Sequence, residues 1–183
     1  MTTDVHSPRQ ILDFWFDLTD DVAFGADPKF DRLLEERFGG TLAAARRGKL
    51  DAWEKTPEGA LALVLLLDQM SRNVHRGTPA MYEQDEKALE MAERAIARGE
   101  DMALPKEQRR WLYMPFMHSE KLADQERCVE LCRASELADT LPYAIDHADI
   151  VRRFGRFPHR NAILGRTSTR GETDYLDGGG FKG

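Results

Sequence analysis

The stretch Ala60–Arg76, ALALVLLLDQMSRNVHR, constrains the fold more than any other part of the chain. An unbroken apolar run, Ala60–Leu67, gives way at once to Asp68, Gln69, Ser71, Arg72, Asn73 and Arg76. A helix that is apolar on every side has to be enclosed by other elements. Its polar end is then enclosed as well, and enclosed charges need partners. One central helix therefore demands several elements around it and a polar network where it ends. That network is the first place to look for function.

The surrounding elements read as helices, and strand alternation is almost absent. Ser7-Pro8-Arg9-Gln10 combines an N-cap, a proline at the first helical position and a capping-box glutamine. Asp27-Pro28 repeats the start signal. Phe30, Leu33, Leu34 and Phe38 then recur at helical spacing, and Gly39-Gly40 predicts the end of that helix. Short pieces are predicted at Leu42–Arg47 and Leu50–Trp53. Thr56-Pro57-Glu58 caps the central helix with an acid in its positive first turn, and Gly77 ends it. An amphipathic segment runs from beyond Pro79 to Arg98, with Ala88, Leu89, Ala92, Ala95 and Ile96 on one stripe.

Pro105 opens a helix towards His118, in which Pro115 predicts a kink or an early end. Further helices are predicted from Asp124 to Leu137 and from Leu141 or Pro142 to Phe154. Short pieces follow Pro158 and lie at Glu172–Leu176. The expected fold class is all-α, with roughly seven or eight helices in antiparallel pairs. One domain spans residues 1–183, with 178–183 as a flexible tail freed by Gly178-Gly179-Gly180. Helix-pair spacing after Pro79 is near the length of a tetratricopeptide repeat.

A chain of 183 residues can bury a real core. With 42% hydrophobic and 32% charged residues it is not generally disordered. A net charge of −6 gives no global attraction to nucleic acid or an anionic membrane. The run Ala60–Leu67 is too short to span a bilayer, and MTTDVHSPRQ lacks the basic-then-apolar order of a signal peptide. A cytoplasmic location is expected. Cys128 and Cys132 lie on one helical face but form no CxxC pair, so buried structural thiols are favoured over a metal or redox pair.

Three polar constellations stand out. On the central helix, Asp68 and Arg72 are an i,i+4 pair with the acid on the favourable side. They belong either to a structural network or to a ligand-binding wall. The second constellation, Val151–Arg170, holds Arg152, Arg153, Arg156, Arg160, Arg166 and Arg170 and no acid. Arginine forks suit carboxylates and phosphates. These arginines either pair with the protein's own acids, such as Asp146, Asp149 and Glu120, or line a pocket for a small anion or an acidic peptide end. Contact with nucleic acid is the weakest reading, because no zinc finger or RNA-recognition signature accompanies them.

The third constellation is histidine. His118 lies two residues before Glu120, His147 between Asp146 and Asp149, and His159 beside Arg160 and Asn161. Converging in a helical fold, they would supply general acid–base groups amid arginine electrostatics. No HExxH, paired ExxH or Cys/His cluster calls for a metal. No GxSxG, GxGxxG or GxxxxGK[ST] motif points to a serine nucleophile or a nucleotide, and no cofactor is expected.

LDQMSRN at Leu67–Asn73, MPFMHSE at Met114–Glu120 and RFGRFPHRN at Arg153–Asn161, followed by LGR and ST, together carry a resemblance. The chain resembles a bacterial domain-of-unknown-function family with an all-helical, tetratricopeptide-repeat-like fold, a right-handed helical array. The likeness covers nearly the whole chain, from Phe14-Trp15 to Gly179. It implies the fold and brings no activity or substrate.

The candidate catalytic residues are His118, Glu120 and His159, with Asp68 or Glu120 orienting a histidine. The candidate ligand-binding residues are Asp68, Gln69, Arg72, Asn73, Arg76, His147, Arg153, Arg160 and Asn161. The leading expectation is binding of a small anionic ligand or peptide end between the central helix end and the FPHRN segment. A hydrolase- or lyase-type enzyme acting on an anionic metabolite is the first alternative. A protein-interaction module with an exposed apolar groove is the second. In space, Asp68, Arg72 and Asn73 should lie near His118, Glu120, His159 and Arg160.

Overall fold

A computed structural model describes residues 5–183. The first four residues, part of the expected domain span and of the leader reading, lie outside the described residues. Among the described residues there is no strand. The helices are α1 (Pro8–Phe16), a short α2 (Asp20–Ala23), α3 (Pro28–Arg46), α4 (Pro57–Val64), α5 (Ser71–Val74), α6 (Asp85–Ala97), α7 (Lys106–His118), α8 (Leu122–Ala134), α9 (Leu141–Phe154) and α10 (Arg170–Asp177).

Local chemistry sets where they start. Ser7 and Gln10 form a capping box at α1, and Thr169 and Glu172 form another at α10. Asp27 and Thr56 side chains accept the backbone N–H of Lys29 and Gly59 at the heads of α3 and α4. Each such cap is worth about 1 kcal/mol.

One helix runs past its predicted stop, and another reaches its predicted end at His118 without stopping at Pro115. The pair Gly39-Gly40 lies inside α3, which continues to Arg46. Phe38, Leu42 and Ala45 on either side of the pair are buried, and their burial outweighs about 1 kcal/mol of poor helix propensity per glycine. Likewise α7 continues through Pro115 to His118, because Trp111, Leu112, Phe116 and Met117 are all buried around it.

The central helix is α4, a π-helical turn at Leu65–Met70, and α5, in immediate succession. Every residue from Ala60 to Met70 is buried. Helices α1, α6 and α7 pack on α4, and α3 packs on the π turn and α5. Helices α6 to α9 pack consecutively. The π turn closes i→i+5 bonds, so the helix beyond it is rotated by about one residue's angle, ~100°. Asp68 and Gln69 sit within that turn.

One contiguous core extends from Ile11 to Ala144, and a small second cluster forms around Ile150, Val151 and Phe157. Cys128 and Cys132 are unbridged and buried in α8. Among the described residues, no helix is long and apolar enough to cross a membrane. The tail 178–183 does not stand free. The Phe181 N–H donates to Tyr175 Oη at 2.9 Å, and its ring meets those of His147 and His159 edge-on.

Candidate functional site

The polar end of the central helix meets the C-terminal end of α7. Asp68 is fully buried there. His118 Nδ1 lies 2.8 Å from Asp68 Oδ1 and 3.0 Å from Oδ2. Gln69 Nε2 donates to Oδ2 at 2.5 Å, and Arg72 Nη1 lies 3.1 Å from Oδ1. Burial alone would raise the Asp68 pKa. Arg72, His118 and Gln69 outweigh it and hold the carboxyl at about 2. Burial also lowers the His118 pKa, beyond what the neighbouring Asp68 restores. The pair is therefore a carboxylate and a neutral imidazole. A carboxylate only accepts, which assigns the imidazole proton to Nδ1 and leaves the lone pair on Nε2. Nε2 has no hydrogen-bond partner among the described residues, and His118 lines a cleft of about 510 Å³.

A second layer ties the cleft together. Arg72 grips Asp85 with both ends of its fork, at 2.9 and 3.0 Å, and donates to the Asp68 carbonyl at 2.7 Å. Asp85 opens α6 and also accepts from Arg160 Nη1 at 3.3 Å. Arg160 Nη2 donates to the His118 carbonyl at 2.9 Å. Its guanidinium carbon lies 4.5 Å from the Tyr82 ring centre and 4.7 Å from that of Phe157. Burial lowers the Arg160 pKa and raises that of Tyr82. Tyr82 lines the cleft, and its hydroxyl has no partner among the described residues.

Glu120 follows α7 and clamps the chain beyond α9. It accepts the Phe157 N–H at 2.8 Å and both Arg166 Nη groups at 2.7 and 2.9 Å. Burial would raise its pKa, but Arg166 and the Phe157 N–H outweigh that and lower it. Arg166 Nε donates to Asn161 Oδ1, and Asn161 Nδ2 donates to Ser168 Oγ, each at 3.0 Å.

His118, Glu120 and Arg160 thus line the cleft, with Asp68, Gln69 and Arg72 behind His118 and Asn161 behind Glu120. Other candidates go elsewhere. Asn73 and Arg76 donate to Asp31 of α3, at 2.9 and 2.6 Å. His147 Nδ1 lies 2.8 Å from the Tyr143 carbonyl. Arg153 sits over the Phe154 and Tyr175 rings. His159 packs against Phe157 and Phe181, and burial, with Arg160 and His147 close by, holds its pKa at about 3. Most arginines of the 151–170 stretch face the protein's own acids. Arg152 meets Asp149 and Glu126, Arg156 meets Glu172, and Arg170 meets Asp174.

Tyr82 and Asp85 were not foreseen. Asp85 reads locally as an ordinary acid in a first helical turn, and Tyr82 lies in a turn with no motif around it. Among the described residues, no three His, Cys, Asp or Glu side chains are grouped to hold a metal ion.

Comparison places this geometry in a family. A model of the bacterial proteins of unknown function DUF924 matches residues 11–180. The chain belongs to DUF924. That DUF924 match spans every residue described at the cleft. The solved structure of the protein of unknown function ATU0120 from Agrobacterium tumefaciens is similar to it, with 44% identity and a TM-score of 0.89. The likeness covers 93% of this chain and 97% of that one. No curated protein matches the chain.

Proposed function

We propose that this DUF924 protein is an acid–base enzyme of hydrolase or lyase type, with His118 as the group that carries the proton. One observation carries the reading. Nδ1 of His118 is held by the fully buried Asp68 carboxylate, while Nε2 has no partner and its ring lines the cleft. A neutral imidazole with a fixed tautomer and an open Nε2 is a proton acceptor ready for a ligand. Asp68 is its positioning residue, and Gln69 and Arg72 position Asp68. The Tyr82 hydroxyl is suited to donate to an oxygen of the ligand.

The test is a screen of ester, amide, lactone and dehydration substrates with the wild-type protein, His118→Gln and Asp68→Asn. Activity should fall by about 10²–10⁴-fold in His118→Gln, the usual contribution of general acid–base catalysis. Full activity in that variant would overturn the reading.

A second reading, binding of a small anion, draws on Arg160. This buried guanidinium lines the cleft, and its Nε–H has no acceptor among the described residues. A thermal shift with phosphate or succinate that disappears in Arg160→Gln would favour it over catalysis.

A further inference from the structure

The cleft's charges balance. In the wall, Asp85 pairs with Arg160 and Glu120 with Arg166, and behind the wall Arg72 pairs with both Asp68 and Asp85. At the mouth, Glu83 pairs with Arg46 at 2.5 Å and Glu86 lies 4.0 Å from Lys121. Each acid has its cation, and His118 is neutral. An anion entering here meets no uncompensated positive charge and leaves its hydration behind. Pro79, Leu89, Pro115 and Leu164 supply apolar wall. Three polar groups at this cleft lack partners among the described residues: the Arg160 Nε–H, itself buried, the His118 Nε2 lone pair, which suits a donor such as water, and Tyr82 Oη, which suits an oxygen acceptor on a neutral ligand.

The nucleophile follows by a similar argument. Ser119 is the aliphatic hydroxyl in the lining, and it is already engaged. Its Oγ donates to Asp124 at 2.6 Å and accepts the Lys121 N–H at 3.1 Å. A base with no activated serine beside it works on water.

We infer that the cleft hydrolyses an uncharged acyl compound, an ester or lactone, with water as the nucleophile; this rests on the reading of His118 as the proton carrier. His118 Nε2 takes a proton from water as the water oxygen bonds to the carbonyl carbon. Tyr82 Oη donates a hydrogen bond to the oxyanion that forms. The tetrahedral centre then collapses, the bond to the leaving oxygen breaks, and the imidazolium returns its proton to that oxygen. One water is consumed; an ester releases one carboxylic acid and one alcohol, and a lactone opens to one hydroxy acid.

The experiment compares 4-nitrophenyl butyrate with mono-4-nitrophenyl succinate, which differ by one carboxylate. kcat/KM should favour the butyrate by about ten-fold or more, since the added charge is desolvated without compensation. Both activities should be lost in His118→Gln. Glu86→Gln, at an exposed position, leaves one cation in excess and should move the ratio about two-fold towards the succinate. A preference for the succinate that still depends on His118 overturns the charge inference and leaves the proton-carrier reading standing. Hydrolysis that persists in His118→Gln overturns that reading as well. No hydrolysis of either ester above buffer overturns the inference, and the wider substrate screen then decides the reading on its own.

Discussion

Asp68→Asn tests the buried pair on which the site is built. The carboxyl is held at about 2 against an ordinary 3.8. At about 1.4 kcal/mol per pH unit, its surroundings favour the charged form by about 2–3 kcal/mol. Asparagine keeps the shape and removes the charge. Its amide also meets two donors, Gln69 Nε2 and His118 Nδ1–H, with one acceptor oxygen to offer them, beside the Arg72 guanidinium that loses its ion pair. Each buried donor left unpaired costs about 1–3 kcal/mol. The expected loss is about 3–5 kcal/mol, in the range for breaking a buried ion pair, read from urea unfolding with an unchanged m-value. The pH dependence carries a second signature. Asp68 has a folded pKa below its unfolded one, so its stabilisation is present above about pH 4 and is lost as the pH falls towards about 2. The gap between wild type and variant should close across that window. A third readout is the His118 tautomer by long-range ¹H–¹⁵N correlation, which should show Nδ1–H in the wild type and lose that preference in the variant. A loss below about 1 kcal/mol, the scale of an exposed pair, would refute the claim that Asp68 is a desolvated partner of His118.

Three further outcomes are expected. Gly59→Ala should destabilise by about 1–3 kcal/mol, because its Cβ would lie 2.0 Å from the Trp53 carbonyl oxygen; Gly39→Ala, where the nearest neighbour is Glu35 Cγ at 3.7 Å, should stabilise by up to about 1 kcal/mol in calorimetry. His159, held at about 3 by burial, Arg160 and His147, is neutral when folded and takes up a proton when unfolded below its ordinary 6.5; wild-type stability should therefore fall as pH drops from 6.5 towards about 3, and His159→Gln should flatten that limb of a denaturation series. Arg166→Ala should leave Glu120 with the Phe157 N–H alone and speed amide exchange at Arg160, Asn161 and Arg166, whose N–H groups bond within the clamped segment.

How much of this was legible in the sequence differs from residue to residue, and the reason is range. The central helix was legible because Ala60–Leu67 is apolar on every side, a local property that forces burial. The starts of α1, α3 and α4 were legible for the same reason, since a cap and its partner lie within a few residues. The π turn carries no glycine, proline or motif to announce it, yet it changes which residues share a face. A regular helix aligns Gln69, Asn73 and Arg76 in one row. With the wide turn ending at Met70, Gln69 faces Asp68 while Asn73 and Arg76 face Asp31. The arginine-rich stretch misleads in a related way. Seen within its own twenty residues it is a positive field without an acid. In the fold, Arg160 meets an acid 75 residues away and Arg166 one 46 residues away. No sequence window contains both members of such a pair, so the sign of the field at the cleft is a tertiary property. This is why an arginine cluster that suggests an anion in sequence encloses, once folded, a cleft whose charges are already matched.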